Sequence, residues 1–191
     1  MVREALVGAS EVGAETELVT LWDKNIKPCD ACSSCHRTGK CHIDDDMQPI
    51  YEKMLNADGI VIGTPVYFWT VSAQAKILMD RTYALRYPKI QLANKVGGAI
   101  AVAGRQGAQG ALDVFLRYFA NNHMYSVEHT DGLAVEKGAI TKDQRAIKTA
   151  YEMGRQIASL IKQKPKFPEE FDVPLHRFIK RKYNSRDYPS D

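Results

Sequence analysis

The residues with the most distinctive chemistry in this sequence are its cysteines. All four fall within thirteen consecutive positions of a 191-residue chain, with the spacing Cys-x2-Cys-x2-Cys-x5-Cys, and they are Cys29, Cys32, Cys35 and Cys41. A disulfide framework would distribute its bridges along the chain, because cross-links stabilise a fold by joining distant segments. Clustered thiols instead indicate a site for a metal centre or for redox chemistry.

The spacing of the thiols favours a 4Fe-4S cluster. Four thiolates this close in sequence can each reach one iron corner of a compact cubane when the loop folds back over it, and Gly39 permits the turn that brings Cys41 to the others. Structural zinc sites usually separate two Cys or Cys/His pairs by a dozen or more residues. A zinc loop, in which His36 or His42 replaces a cysteine, and a set of redox or inert thiols are the alternatives. If the centre is a 4Fe-4S cluster, we expect the two histidines to be solvated or to donate hydrogen bonds to sulfur.

The overall composition excludes several classes of protein. The chain has 26 Lys and Arg residues against 23 Asp and Glu residues, and a net charge of +3 is too small to indicate a nucleic-acid or membrane partner. No apolar run approaches the roughly 20 residues of a membrane span, and the amino terminus lacks the apolar core of a signal peptide. We therefore expect a cytoplasmic protein that binds neither nucleic acid nor membranes.

Strands alternate with helices along the chain, which predicts an open, doubly wound parallel α/β sheet with helices on both faces. The apolar runs 59–63 and 95–103 are typical of strands that are buried on both sides. Two more strands are expected at Leu18–Trp22 and within 125–135. Helices are expected at residues 3–12 and 142–161 and around the periodic apolar positions of 47–55, 75–82 and 112–119.

The first element of this order is unusual. A doubly wound sheet normally begins with its central strand, which is followed by a phosphate-binding loop at a helix N-terminus. Here a helix comes first, so we expect that strand and its loop to be missing before Met1. Residues 1–163 are expected to form one domain, into which the cysteine loop, residues 25–42, is inserted.

The end of the chain differs in charge from the rest. Residues 162–191 carry eight basic and five acidic side chains, whereas residues 1–161 carry 18 of each. Pro165, Pro168 and Pro174 argue against one long helix there. We expect residues 164–191 to form a C-terminal arm that wraps its own or a neighbouring subunit, in preference to contacting nucleic acid.

Two loops that follow buried strands are candidates for a ligand site, because ligands of open α/β sheets bind beyond the carboxyl ends of the strands. Residues 64–69 end in three consecutive aromatic side chains, and residues 103–110 are rich in glycine, so their backbone N–H groups can approach a planar polar edge. An aromatic wall opposite such a loop suits an isoalloxazine ring. The aromatic residues could equally form a dimer interface, and the two interpretations are compatible.

Four segments of the chain resemble the iron-sulfur flavoproteins of anaerobic archaea and bacteria, which belong to the flavodoxin-like NAD(P)H-dependent FMN reductase superfamily. The segments are Pro28–Cys35, Cys41–Met47, Ala57–Phe68 and Ser72–Arg81. The resemblance extends over about residues 1–160. It implies a flavodoxin-like fold, FMN and one 4Fe-4S cluster per subunit, and a homo-oligomer, a dimer or a tetramer, in which the cluster lies near a flavin across a subunit interface.

The resemblance also implies roles for particular residues. The cluster ligands would be Cys29, Cys32, Cys35 and Cys41, and the flavin would be lined by Pro65, Val66, Tyr67, Phe68, Gly104, Arg105, Gln106 and Gly107. The phosphate-binding segment of the family, of the type Gly-x-Ser-Pro-Arg-x-x-Gly-Asn-Thr, has no counterpart in this chain. No catalytic acid or base is expected, since no Ser/His/Asp set or carboxylate pair has a suitable spacing.

These observations predict a redox flavoprotein. Single electrons would pass from a low-potential, ferredoxin-like donor through the 4Fe-4S cluster to FMN and on to a small acceptor, either a quinone, oxygen or peroxide. One alternative is an NAD(P)H-dependent FMN or quinone reductase whose cysteine loop holds structural zinc. The other is a non-catalytic redox sensor.

Overall fold

A computed structural model of the chain describes residues 1–174. The helices are α1 (Val2–Glu11), α2 (Cys35–Thr38), α3 (Met47–Asn56), α4 (Ala73–Arg81), α5 (Ala108–Asn121) and α6 (Gln144–Lys162). The strands are β1 (Gly59–Tyr67), β2 (Thr70–Val71), β3 (Val96–Ala103), β4 (Tyr125–Ser126) and β5 (Thr130–Leu133). Short 3-10 helices lie at Thr82–Arg86, Ala139–Lys142 and Glu169–Phe171. Within this part of the chain no helix is long and apolar enough to cross a membrane.

Strands β1 and β3 form the centre of the sheet. They run parallel, with Gly59 opposite Val96 and Pro65 opposite Val102. β4 and β5 pair in parallel with successive halves of β3, whereas β2 returns antiparallel along the end of β1. The predicted parallel α/β sheet is therefore confirmed. The carboxyl ends of β1, β3 and β5 lie at one edge, where ligands bind in sheets of this kind.

Helices cover both faces of the sheet. α3, α4 and α5 pack on one face, and α1 and α6 pack on the other. β3 contributes to both cores, because successive side chains of a strand point to opposite faces. Ala99 lies in the first core and Ile100 in the second, and neither side chain is more than 1% exposed. This two-sided burial explains the uninterrupted apolar run of β3.

The strand predicted at Leu18–Trp22 is wrong. Residues 14–33 contain neither helix nor strand, although Val19 and Leu21 pack against the core and Trp22 is 83% exposed. Apolar side chains of this segment are thus packed against the core although the segment forms no strand. A strand also needs hydrogen-bonding partners for its backbone. Among the described strands, β1 pairs with β3 along one side and with β2 at its end, and none pairs with residues 18–22.

Three further elements differ from the sequence-based expectation. β1 continues to Tyr67 and turns through Phe68 and Trp69 into β2, so the segment expected as a loop is a hairpin. The strand region expected within 125–135 is divided into β4 and β5. α2 forms inside the cysteine loop, where the sequence predicts no helix. The hairpin has the largest consequence for function, because it fixes the direction of the aromatic side chains.

The described part of the C-terminal arm, residues 164–174, packs on its own subunit. The ring of Phe167 stacks on His123 with 4.2 Å between centroids. The backbone N–H of Ile90 donates to the carbonyl of Asp172 at 2.9 Å. The basic residues near the end of the arm, Arg177 to Arg186, lie outside the described residues.

Helices α1 and α6 approach each other closely at two glycines. A Cβ added to Gly154 would lie 1.8 Å from the carbonyl oxygen of Ala5, and one added to Gly8 would lie 2.0 Å from the carbonyl oxygen of Tyr151. The contacting atoms belong to the backbone, so no side-chain rotation can relieve such a clash. This crossing holds α1 against the sheet and therefore depends on glycine in both helices.

We predict that Gly154→Ala destabilises the protein by about 1–3 kcal/mol, because the added methyl group must force the two helices apart. In a helix without this contact, Gly→Ala is expected to stabilise by about 1 kcal/mol. Equilibrium urea unfolding measures the change in the free energy of unfolding between the wild type and Gly154→Ala. Ser159→Ala, at an exposed position of the same helix, is the matched control and should leave the midpoint almost unchanged. An equal or higher midpoint for Gly154→Ala would contradict the close crossing.

A buried ion pair joins the cysteine loop to the body of the domain. Arg81, the last residue of α4, and Asp45 have side chains that are 0% and 3% exposed, and Nη1 of Arg81 lies 2.6 Å from Oδ2 of Asp45. The carboxylate of Asp45 also accepts the backbone N–H groups of Lys27 and Met47 at 2.9 and 3.0 Å. Burial by itself raises the pKa of Asp45, but the guanidinium and the two N–H donors outweigh it and hold the pKa below its ordinary value.

This lowered pKa predicts a particular dependence of stability on pH. A carboxyl whose pKa is lower in the folded state stabilises the fold fully above its unfolded pKa of about 3.8, and this contribution is lost as the pH falls through the folded value. The difference in free energy of unfolding between the wild type and Asp45→Asn should therefore be constant near neutral pH and shrink below about pH 4. Urea unfolding at several pH values checks this, and a difference that grows on acidification would contradict it.

Candidate functional site

The four cysteines line a single cleft of about 930 Å³. Cys29 and Cys32 are exposed at its rim, whereas Cys35 and Cys41 are half-buried and pack against the core beneath it. The other walls are the end of α4, the 3-10 helix that follows it and one side of α5. The structure therefore brings together all four of the predicted metal ligands, with two against protein and two towards solvent.

The backbone of the cysteine loop has an unusual conformation. Ala31 and Ser33 have φ values of 57°, in the left-handed region that few residues other than glycine adopt. Left-handed residues in such a loop turn successive backbone N–H groups to one side, which is a typical arrangement around anions and iron-sulfur centres. α2 then places Cys35 at its first position and ends at Gly39, with φ of 69°, as the sequence predicts for the turn towards Cys41. The strain is of the kind found at functional sites.

The separation of the thiols bears on which metal centre they fit. Ligands of one tetrahedral zinc ion, with Zn–S bonds of about 2.3 Å, have sulfur atoms roughly 3.8 Å apart. Within residues 1–174, no three of the cysteine Sγ atoms lie within 4.8 Å of one another. A cubane needs thiolates that lie farther apart than this, since each thiolate binds a different iron corner. Burial, followed by the nearby thiols of Cys41, Cys29 and Cys32, raises the pKa of Cys35, so binding a cation here would release protons.

The two histidines beside the cysteines have different environments. Nε2 of His42 lies 2.8 Å from Oδ2 of Asp30, whose other oxygen accepts the N–H of Cys32 at 3.2 Å. His36 instead stacks on Tyr87, with 4.3 Å between centroids, and its Nε2 lies 3.2 Å from the hydroxyl of Tyr83. His42 thus supports the turn between two cysteines. Together with Asp30 and Cys32 it also forms a set of three ligand atoms within 4.8 Å that could hold a single ion.

Several residues of the cleft are not among those predicted from the sequence. The cleft is also lined by Arg81, Tyr83, Arg86, Arg117 and Tyr118. Three of these are arginines, and they face a loop whose thiolates are negative when they bind metal, although Asp30 and Asp80 also line the cleft. Arg81 belongs to one of the sequence segments that resemble the family, Ser72–Arg81. Its structural role could not be predicted from that segment, because it depends on a contact with Asp45, 36 residues away in the sequence.

The second site lies at the carboxyl ends of β1 and β3. A pocket of about 260 Å³ is lined by Val66, Phe68, Trp69, Gly104, Arg105 and Gln106. Most of the residues predicted to line a flavin therefore share one pocket. Pro65, Tyr67 and Gly107 do not line it, and Trp69, the third residue of the aromatic run, joins it instead. A Cβ added to Gly104 would meet no atom within 4 Å, so the space in front of its backbone is open to a ligand.

The aromatic residues of this pocket are held in a tight turn. Phe68 and Trp69 have φ values of 47° and 74°, as in the two-residue turns that best match the twist of a hairpin. Phe68 is 97% exposed and Trp69 is 60% exposed. Bulky residues at positive φ are strained and persist only where tertiary contacts hold them. The turn therefore presents aromatic surface to solvent at a cost to the fold, as strained residues at ligand sites often do.

Helix α5 provides the contact that holds this turn. A Cβ added to Gly110 would lie 2.8 Å from the carbonyl oxygen of Trp69, and one added to Gly107, where φ is 95°, would lie 3.2 Å from its Cα. The backbone of the turn thus rests directly on the first turn of α5. The glycines predicted to approach a ligand include Gly107, which instead approaches the hairpin.

Comparison with known proteins identifies the family and the fold. Residues 1–137 match the NADPH-dependent FMN reductase family, and an iron-sulfur flavoprotein of Methanocaldococcus jannaschii is 42% identical over 172 residues, which are 85% of this chain and 89% of the relative. RosB, solved with 8-demethyl-8-formylriboflavin-5'-phosphate bound, superposes with a TM-score of 0.68 over 100% of this chain and 81% of its own, at 16% identity. A WrbA-like flavodoxin of Agrobacterium tumefaciens superposes with a TM-score of 0.59 over 86% and 91%, at 15% identity.

The two superpositions confirm the flavodoxin-like fold, and the sequence matches confirm the resemblance to the iron-sulfur flavoproteins. The chain therefore belongs to the NADPH-dependent FMN reductase family and, within it, to the iron-sulfur flavoproteins.

Proposed function

We propose that this protein is a redox flavoprotein that takes single electrons from a ferredoxin-like donor and delivers them to a small acceptor such as a quinone, oxygen or peroxide, using a 4Fe-4S cluster and FMN. The observation that carries the proposal is the convergence of all four cysteines on one cleft through a strained loop. An iron-sulfur cluster exchanges one electron at a time and FMN can hold two, so the pair suits a one-electron donor and a two-electron acceptor.

The chain's own residues supply the surroundings of both groups. Cys29, Cys32, Cys35 and Cys41 would bind the cluster, and the half-buried position of the last two limits the access of water to one side of it. Phe68 and Trp69 would cover one face of the flavin ring, opposite the backbone of Gly104. No acid or base is required of the protein in this scheme.

The positions of the two sites support a homo-oligomer, either a dimer or a tetramer. The cysteine cleft and the aromatic pocket have no lining residue in common. Tyr67, Phe68 and Trp69 are all more than half exposed, and aromatic residues are enriched in subunit interfaces. A neighbouring subunit could cover this aromatic surface and bring its own cysteine cleft towards the pocket. We also propose that the arm, residues 164–191, contacts the neighbouring subunit.

Metal analysis and absorbance of anaerobically purified protein test the proposal. About four iron atoms per chain, a broad visible band that dithionite bleaches and flavin absorbance are expected. Zinc without iron would instead select the NAD(P)H-dependent reductase with a structural zinc loop, which the Asp30, Cys32 and His42 set favours. Stopped-flow mixing with reduced ferredoxin and with NADPH then identifies the donor, and reduction by neither, with any acceptor, would favour the redox sensor.

We predict that Cys41→Ser abolishes most of the visible absorbance of the cluster and leaves the flavin absorbance in place. The serine hydroxyl is a poorer ligand for iron than a thiolate, and Cys41 lies on the half-buried side, where a lost ligand is not easily replaced. Iron per chain and the flavin spectrum are the measurements. Ser33→Ala, in the same loop, is the control and should keep its iron. A Cys41→Ser protein with full iron would remove Cys41 from the ligand set.

We predict that Gly110→Ala weakens FMN binding by about tenfold or more, which corresponds to roughly 1.4 kcal/mol. The added methyl group would lie 2.8 Å from the carbonyl oxygen of Trp69 and must displace the aromatic turn. Fluorescence titration of the apoprotein with FMN measures the affinity. Gln109→Ala, at the exposed neighbouring position of α5, is the control. Unchanged affinity in Gly110→Ala would show that the position of the turn does not affect flavin binding.

A further inference from the structure

Arg81 connects the two ends of the cysteine loop. Its guanidinium donates to the carbonyls of Lys27 and Ile43 at 2.8 and 3.3 Å. Lys27 lies two residues before the first cysteine of the loop and Ile43 two residues after the last. Nη1 and Nη2 of Arg81 also bind Oδ2 and Oδ1 of Asp45 at 2.6 and 3.1 Å. One planar fork therefore closes the loop at its base, which a lysine ammonium could not do with the same geometry.

One donor of this guanidinium is left without a partner in the described part of the chain. Nε of Arg81 is buried and donates to no acceptor among residues 1–174. The residue as a whole is 1% exposed, so water does not replace the missing acceptor. Buried N–H groups without an acceptor are rare, because the hydrogen bond to water lost on burial is not replaced. The other N–H groups of Arg81 are fully engaged, so this one indicates an acceptor that residues 1–174 do not supply.

The cysteines beside Arg81 are groups that could bind such an acceptor. Arg81 and all four cysteines line the same cleft. Burial tends to lower the pKa of Arg81, but Asp45, Tyr51 and the thiolate of Cys41 act together to raise it above its ordinary value. An arginine keeps its charge at all physiological pH values, so this donor is permanent.

We propose that Arg81 is a positioning residue for the iron-sulfur centre: it fastens both ends of the cysteine loop and donates its Nε–H to a sulfur atom of that centre. This inference rests on the proposed iron-sulfur function. N–H groups that donate to the sulfurs of such a centre stabilise its more negative, reduced state and so raise its reduction potential. Arg81 would thus set how readily the protein accepts electrons as well as where the cysteines lie.

A spectroscopic test on the intact holoprotein detects this contact directly. Protein labelled with ¹⁵N-arginine and reduced by dithionite should show, by pulsed electron paramagnetic resonance, a hyperfine coupling between the reduced cluster and an arginine nitrogen. The coupling should disappear in Arg81→Lys and persist in Arg117→Lys, which removes an exposed arginine of the same cleft. Wild-type protein that holds iron, is reduced and shows no such coupling would overturn the inference even if Arg81→Lys fails to fold.

The reduction potential separates this role from a merely structural one. Arg81→Lys keeps the charge but loses Nε–H, and its potential should shift to more negative values than the wild type. Asp45→Asn removes a neighbouring negative charge while keeping Arg81, and its potential should shift to more positive values. Loosening of the loop alone would shift the reduction potentials of both variants in the same direction, and that result would contradict the proposal. Wild-type protein without iron would overturn the proposed function itself, whereas these outcomes concern only Arg81.

Discussion

The buried ion pair between Arg81 and Asp45 is the interaction on which the cysteine site depends. It joins the last residue of α4 to the segments before and after the cysteines, and its two side chains are almost inaccessible to water. Breaking such a pair leaves an uncompensated buried charge, which typically costs about 3–5 kcal/mol. A long segment without regular structure, residues 14–33, is thereby fixed to a rigid parallel sheet, and the thiols acquire defined positions.

The aromatic pocket depends on a different constraint, the absence of side chains at two positions of α5. Gly107 and Gly110 allow the backbone of Trp69 to rest on the helix, and this contact holds a turn that is strained by itself. Both sites therefore follow one principle: a loop with an unfavourable local conformation is held by a single close contact to a helix of the α3–α5 face. The sheet on which these helices pack supplies the rigidity that makes both contacts effective.

Much of this arrangement could be predicted from local sequence. The spacing of the cysteines, the apolar run of β3 and the periodicity of the helices each depend on residues close together in the chain, and all three have the expected structural counterparts. The strand at Leu18–Trp22 was mispredicted because strand formation depends on a partner, which the residue types of the segment do not reveal. The hairpin at Phe68 and the role of Arg81 depend on contacts between distant residues, so no local pattern could predict them.

The anchoring of the cysteine loop by protein groups alone has a consequence for the order of assembly. In small zinc domains the metal supplies the folding free energy, and the chain is unfolded without it. Here the base of the loop is closed by Arg81 and Asp45, neither of which is a thiol ligand, while Cys29 and Cys32 remain at the exposed rim. The polypeptide can therefore fold before its inorganic centre is bound and receive that centre from the solvent side.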